Sequence, residues 1–182
     1  MIIAAGLSPA WQQILEVDSL QVGEVNRCQS AHWSASGKVI NVGIAVRHLD
    51  ISCESIFSAG GYTRELIEAD LTQLHVPCRI LDQQNPTRIC TTVLDRSTGQ
   101  TTELVENATA VSAEEVSAFA EEYRNYVSSA DVVVLTGSLP TGAPATLYHD
   151  LRINAESLSG KTQPGRTGTD PGAPPHQYRS DD

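Results

Sequence analysis

The 182-residue sequence contains few aromatic residues, few basic residues and no long apolar run. Phe, Trp and Tyr make up 5% of the chain, which leaves little surface for stacking on single-stranded nucleic acid. The 12 Lys and Arg are outnumbered by 22 Asp and Glu, and a formal charge of −10 argues against nucleic-acid or anionic-membrane partners. No apolar stretch approaches the ~20 residues that a membrane-spanning helix needs. The sequence therefore predicts a soluble protein with no nucleic-acid partner and no membrane contact.

The cysteines lack the spacing of a metal site. The four positions are Cys28, Cys53, Cys78 and Cys90. They form no Cys-x-x-Cys pair and no zinc-type Cys/His pattern, so we predict no metal site. The N-terminus does not carry the basic and then apolar segments of a secretory leader. We therefore expect reduced thiols and a cytoplasmic location.

Apolar runs that are typical of buried strands occur at Met1–Leu7, Ile51–Ala59 and Asp131–Leu135. The last run is a continuous Val/Leu stretch, which indicates a central parallel strand covered on both faces. Strands with one open face are predicted from mixed polar and apolar patterns. These are Trp11–Val17 and Val25–Ser34. Thr87–Asp95 and Gln100–Glu106 are β-rich runs around a turn, which predicts a hairpin.

Helices are predicted between these strands, so the ordered part is α/β with a β-rich excursion. The first runs from Lys38 to about Leu49, and the second begins at a Thr63 cap. Ser112 and Glu115 form a capping box for the third. A fourth reaches about Ile153. From Ser159 to Asp182 there is no Val, Ile, Leu, Met or Phe, so we expect residues 154–182 to form a disordered tail.

The turn Ala35-Ser36-Gly37 before the first helix carries a candidate anion site. Lys38 lies in the first helical turn, where its positive charge opposes the helix dipole. A bound anion between the free backbone N–H groups and the ammonium would account for this position. Asn41 lies about one turn later and presents an amide to the same side. The alternative that stays open is a solvated Lys after a glycine turn.

Five motifs in order resemble those of a known family. They are Ser8-Pro9-Ala10, Gly23-Glu24-Val25-Asn26-Arg27, Ser36-Gly37-Lys38-Val39-Ile40-Asn41, Thr87-Arg88-Ile89 and Thr136-Gly137-Ser138-Leu139-Pro140. Together they resemble the N-terminal half of a ribokinase-like (PfkB) carbohydrate kinase. The branch that they resemble is that of 1-phosphofructokinase and tagatose-6-phosphate kinase. The resemblance covers residues 1–153.

The resemblance implies a doubly wound α/β sheet with a small β-sheet lid, whose strands would come from residues 11–34 and 87–106. It implies ATP-dependent phosphorylation of a sugar phosphate of the fructose 1-phosphate, fructose 6-phosphate or tagatose 6-phosphate class. ATP and Mg²⁺ would be the cofactors of the complete enzyme. The phosphorylated sugar would be the partner, and we expect a homodimer through the lid.

Carried over position by position, the resemblance assigns Gly37, Lys38 and Asn41 to the sugar hydroxyls or ring. Arg88 and Ser138 would hold the phosphate that the substrate already carries, with Arg27 as a helper. An arginine suits that role, because its guanidinium is always charged and binds phosphate in a bidentate manner.

Two departures from the family pattern affect these expectations. Gln12 occupies the place of an Asp that binds sugar hydroxyls, and it can hydrogen-bond to a hydroxyl without charge. The family's Gly-Ala-Gly-Asp segment, with its anion hole and catalytic Asp, does not occur in the 182 residues. We therefore expect a truncated form with its C-terminal half missing, no catalytic residue and no nucleotide site.

Two further functions are alternatives to a kinase. A non-catalytic protein that binds sugar phosphates would also keep the acceptor residues, and this alternative stays open. An unrelated nucleotide-binding α/β domain is disfavoured, because neither G-x-G-x-x-G nor G-x-x-x-x-G-K-[ST] occurs.

Overall fold

The computed structural model describes the backbone of residues 1–159 and the side chains of residues 1–153. In chain order the elements are β1 (Ile2–Gly6), β2 (Ala10–Val17), β3 (Ser30–Ser36), α1 (Lys38–His48), β4 (Cys53–Ala59), α2 (Gly61–Gln73), β5 (Cys78–Asp82), β6 (Ile89–Asp95), β7 (Thr101–Val105), α3 (Ala113–Val127), β8 (Val132–Leu135) and α4 (Leu147–Ser159).

Four of the strands form a parallel core sheet in the order β5-β4-β1-β8. Side chains alternate between its two faces along β1. Ile3 and Ala5 pack with α3 and α4, whereas Ala4 packs with α1 and α2. Helices thus cover both faces, and the predicted doubly wound α/β architecture is confirmed.

The other four strands form a second sheet, the lid sheet, in the order β3-β2-β6-β7. The β2–β6 pair is parallel and its neighbours are antiparallel. The strand predicted at Val25–Ser34 begins later, at Ser30. The reason is a local turn, in which the Asn26 side chain accepts from the backbone N–H of Gln21 and donates to its carbonyl, both at 2.8 Å.

The chain passes between the core sheet and the lid sheet four times, and we call these connections crossings. They comprise residues 7–9, 37, 83–88 and 106–112. The β6–β7 turn at the far end of the lid is fixed by Asp95, whose carboxylate accepts from Ser97 Oγ at 2.7 Å and from Leu20 N at 3.0 Å. Chiefly because of the Ser97 hydrogen bond, the pKa of Asp95 falls to about 2.

The structure confirms one of the two predicted helix caps and contradicts the other. The capping box is confirmed, because Ser112 Oγ accepts from Glu115 N while the Glu115 carboxylate accepts from Ser112 N. The Thr63 cap is wrong. Gly60 is the N-cap of α2, and the buried Thr63 lies inside the helix. Its hydroxyl donates instead to the backbone carbonyls of Gly60 at 3.2 Å and Thr87 at 2.9 Å.

The strand β8 is not central among the residues that the structure describes. It pairs with β1 on one side and forms an edge of the described core sheet, and Val132 is 51% exposed. The helix predicted to reach about Ile153 continues to Ser159, through residues that the sequence placed in the tail. The rest of that predicted tail, residues 160–182, lies outside the described residues.

Candidate functional site

The buried segment Ser8–Pro9, just past the carboxyl end of β1, is the meeting point of the predicted site. The Ser8 hydroxyl donates to the backbone carbonyl of Ser138, which follows β8. Ends of neighbouring parallel strands meet at one edge of a sheet, where open α/β folds bind ligands. Ser138 itself is exposed, so its own hydroxyl faces solvent at this edge.

Gly37 lies against the same segment and caps α1 with φ 103° and ψ 151°. A Cβ at this position would lie 2.8 Å from the Ser8 carbonyl oxygen and 2.9 Å from Pro9 Cα. Both contacts are shorter than real Cβ atoms show, so a glycine is required. The close approach fixes the N-terminus of α1 beside Ser8–Pro9.

Lys38 and Asn41 occupy the exposed surface of the first turn of α1. The Asn41 backbone N–H donates to the Gly37 carbonyl at 2.8 Å, which places Asn41 one turn after the cap. No acidic residue lies in this first turn to neutralise Lys38. The arrangement therefore leaves an ammonium and an amide at the helix N-terminus, next to the Ser8–Pro9 segment.

Arg88 reaches Ser8–Pro9 from the lid side, just before β6. Its Nε donates to the Pro9 carbonyl at 3.3 Å and one terminal nitrogen donates to the Ser8 carbonyl at 3.3 Å. The other terminal nitrogen donates to the Glu106 carbonyl at 3.2 Å. The guanidinium is half-buried and bonds to neutral carbonyls. Its positive charge therefore lies against the Ser8–Pro9 segment, and the Glu106 carboxylate lies close by on the N–H of Ile89.

Two predicted site residues, Gln12 and Arg27, form no hydrogen bond, in the described part of the chain, with the residues that meet at Ser8–Pro9. Gln12 lies in β2, where its amide donates to Thr92 Oγ1 at 2.9 Å. Arg27 is exposed in the loop between β2 and β3. Within residues 1–153, no hydrogen bond connects either side chain to Ser8, Gly37 or Arg88. Their roles in binding stay predictions.

The sequence reasoning did not identify Tyr148 of α4, which fixes two strand ends beneath the site. Its hydroxyl donates to the Thr136 carbonyl at 3.1 Å and accepts from Leu7 N at 3.4 Å. Burial raises the pKa of this hydroxyl, so it stays a donor. An aromatic residue on a helical stripe gives no sign in the sequence that its hydroxyl serves two other elements.

Comparison with known proteins identifies the family. A model described as pfkB family carbohydrate kinase matches residues 9–162. The chain belongs to this family. A relative, 1-phosphofructokinase of Bacillus subtilis (strain 168), is 28% identical over 151 residues, which are 83% of this chain and 48% of that protein.

Solved structures agree with the PfkB assignment. The tetrameric inhibited form of phosphofructokinase-2 from Escherichia coli has a TM-score of 0.80 at 26% identity, over 87% of this chain and 52% of that one. The same enzyme in complex with fructose-6-phosphate has a TM-score of 0.79 at 24% identity, over 87% of this chain and 53% of that one. The ribokinase-like fold is thus confirmed, and the chain spans about half the length of these relatives.

Two further findings concern the part of the chain that the structure describes. There, no cluster of three or more His, Cys, Asp or Glu side chains has the arrangement of a metal site. No helix in the same part combines the length and apolar character that crossing a membrane requires.

Proposed function

We propose that residues 1–153 form the acceptor half of a sugar-phosphate kinase site, meaning the part that binds the sugar phosphate. Membership of the PfkB family supports a function as a sugar kinase of the phosphofructokinase type. The substrate class is fructose 1-phosphate, fructose 6-phosphate or tagatose 6-phosphate. Phosphofructokinase-2, a structural relative, was solved with fructose-6-phosphate.

One observation carries this proposal. Gly37, Arg88 and the carbonyl of Ser138 come from three distant parts of the chain and all contact Ser8–Pro9. The result is a cation on Ser8–Pro9, and the exposed Ser138 is joined to the same segment through its carbonyl, at the edge where parallel strands end. Lys38 and Asn41 add a second cation and an amide at the adjacent helix N-terminus. These groups suit a ligand with hydroxyls and one phosphate.

Phosphorylated sugars are therefore expected to bind more tightly than free ones. Titration calorimetry of the 182-residue chain should give at least about tenfold higher affinity for fructose 6-phosphate than for fructose, because one charge-assisted hydrogen bond typically contributes about 1.5–3 kcal/mol. The variant Arg88→Gln should lose this preference. The matched control Arg96→Gln, in the exposed β6–β7 turn, should keep it. Equal affinity of the parent chain for both sugars would show that the site does not recognise the phosphate group.

The catalytic and nucleotide-binding groups belong, in this proposal, to residues that the chain does not supply. The supporting observation is that the family's Gly-Ala-Gly-Asp segment does not occur in the sequence. ATP and Mg²⁺ are the cofactors of complete family members, and we place no residue of this chain on them. The chain would then be inactive alone. The alternative, a non-catalytic protein that binds sugar phosphates, shares the acceptor residues and differs in never forming part of an active kinase.

We also propose that two copies associate through the face of the lid sheet that carries the stacked Trp11 and Trp33. Trp33, Gln13, Thr91 and Leu104 form one row across its four strands. Trp33 is 45% exposed and Leu104 is 62% exposed. A relative, phosphofructokinase-2, was solved as a tetramer. A second copy would cover the two exposed apolar side chains at the ends of this row, Trp33 and Leu104.

Sedimentation should therefore detect a dimer of the parent chain at micromolar concentration. The variant Trp33→Glu should shift it towards monomer by placing a charge in the covered face. Its control is His32→Glu, which lies on the opposite face of β3. A monomeric parent would contradict dimerisation through the lid.

A further inference from the structure

Arg88 occupies an unusual position between the two sheets. It belongs to the third crossing, residues 83–88, yet its side chain bonds to two others. Ser8 and Pro9 lie in the first crossing, and Glu106 begins the fourth. One guanidinium therefore connects three of the four polypeptide connections that join lid and core.

The backbone around Arg88 adds to this connection. The Arg88 carbonyl accepts from Trp11 N at 3.0 Å, where β2 begins. The next residue, Ile89, donates its N–H to the Glu106 carboxylate at 2.8 Å. The preceding residue, Thr87, is bonded to the core, because its N–H donates to the Gly60 carbonyl at 2.9 Å. Arg88 thus lies where the lid sheet is attached to α2 and β1.

The remaining crossing, at Gly37, lies against the Ser8 carbonyl as well. This is the carbonyl to which Arg88 donates. Arg88 therefore bonds to two crossings besides its own, and Gly37 of the remaining one packs against the same Ser8 carbonyl. Three of the five guanidinium N–H groups are used on carbonyls. The other two, one on each terminal nitrogen, have no acceptor within residues 1–153.

From this geometry we infer that Arg88 is a positioning residue, which holds the lid sheet in a fixed orientation over the acceptor site before any sugar arrives. The inference rests on the proposed function, since it concerns the same site. It adds that the Arg88 guanidinium, which we propose as the partner of the substrate phosphate, also holds the lid sheet against the core. Phosphate binding to the two remaining N–H groups would then stabilise the lid orientation as well as the ligand.

Hydrogen–deuterium exchange of the ligand-free chain tests this directly. In Arg88→Ala and Arg88→Lys, backbone exchange in β2 and β6 should become about tenfold faster or more, because a single charge-assisted hydrogen bond can contribute that much. Exchange in β4 should stay within about twofold of the parent. Lysine keeps the charge but lacks the planar fork that reaches carbonyls on two crossings.

The matched control is Arg79→Ala, which removes a guanidinium bonded to Glu54 within the core sheet. It should leave lid exchange at the parent's rate. Unchanged lid exchange in both Arg88 variants would overturn the inference. So would an equal acceleration in β4, since that indicates a general loss of stability rather than release of the lid.

A second arm uses fructose 6-phosphate at saturating concentration. The bound sugar should slow backbone exchange in the lid strands of the parent chain. In Arg88→Lys the same sugar should slow this exchange by a smaller factor. Failure of the parent to bind this sugar would count against the proposed function, whereas the ligand-free comparison would still decide the role of Arg88. Parent binding without any slowing of lid exchange would contradict the coupling of phosphate and lid.

Discussion

Replacing Gly37 with alanine is expected to lower the free energy of unfolding by about 2–6 kcal/mol. The backbone at φ 103° and ψ 151° lies in a region that side chains rarely adopt, which costs about 1–3 kcal/mol. The added methyl group would also lie 2.8 Å from the Ser8 carbonyl, and forced packing of this kind typically costs about 1–3 kcal/mol. Sugar-phosphate affinity should fall as well, because the N-terminus of α1 would move away from Ser8–Pro9.

Gly23 provides the matched control. It also has a positive φ, 86°, but a Cβ there meets nothing within 4 Å. Gly23→Ala should therefore cost only about 1–2 kcal/mol, the backbone contribution alone. Urea unfolding followed by tryptophan fluorescence measures the free energy of unfolding of both variants. A loss for Gly37→Ala no larger than that for Gly23→Ala would contradict the close packing of Gly37 on Ser8.

Periodicity predicted most of the helices and strands, whereas the doubly wound sheet and the lid came from the family resemblance. The capping box of Ser112 and Glu115 depends on residues three positions apart, so the sequence contains all that is needed. Thr63 shows the limit of such local reasoning. Its hydroxyl bonds to Thr87, 24 residues away, and this partner is visible only when the two sheets are assembled.

The position of β8 illustrates a second limit. A continuous Val/Leu run predicts burial on both faces, yet such a run cannot say which strands lie beside it. Within the described residues β8 has β1 as its neighbour, and Val132 is half exposed. Exposed apolar edges of this kind favour pairing with another strand. The local pattern thus gave the element and not its place in the sheet.

For the candidate site, the family motifs name candidate residues but not how these residues are arranged. The resemblance predicts Arg88 as a phosphate ligand, whereas its hydrogen bonds to three backbone carbonyls follow from tertiary structure. Tyr148 was missed for the same reason. Gln12 and Arg27 remain predictions, since the described contacts do not join them to Ser8–Pro9.

The second large effect concerns activity, and we expect the 182-residue chain alone to transfer no phosphoryl group. Phosphoryl transfer depends on positioning both reactants and stabilising the moving charge. Orienting the acceptor contributes only when the donor is also held in near-attack geometry. In the proposed function, the donor-side groups lie outside this chain, so acceptor binding by itself gives no turnover.

A chimera supplies the missing groups in the same experiment. Residues 1–153 would be joined to the C-terminal half of the Bacillus subtilis 1-phosphofructokinase. The chimera should gain sugar-dependent activity, and Asp→Asn in its Gly-x-Gly-Asp segment should abolish that activity. A folded chimera that binds fructose 6-phosphate yet shows no turnover would contradict the claim that residues 1–153 supply the acceptor half.

The most direct measurement is therefore ATP consumption in preparations free of host kinases. Fructose 1-phosphate, fructose 6-phosphate and tagatose 6-phosphate are offered separately to the chain, the chimera and its Asp→Asn variant. The predicted result is turnover by the chimera with at least one sugar phosphate, and none by the chain or by the variant. Sugar-dependent ATP consumption by the 182-residue chain itself would contradict the division of the site into an acceptor half and a donor half.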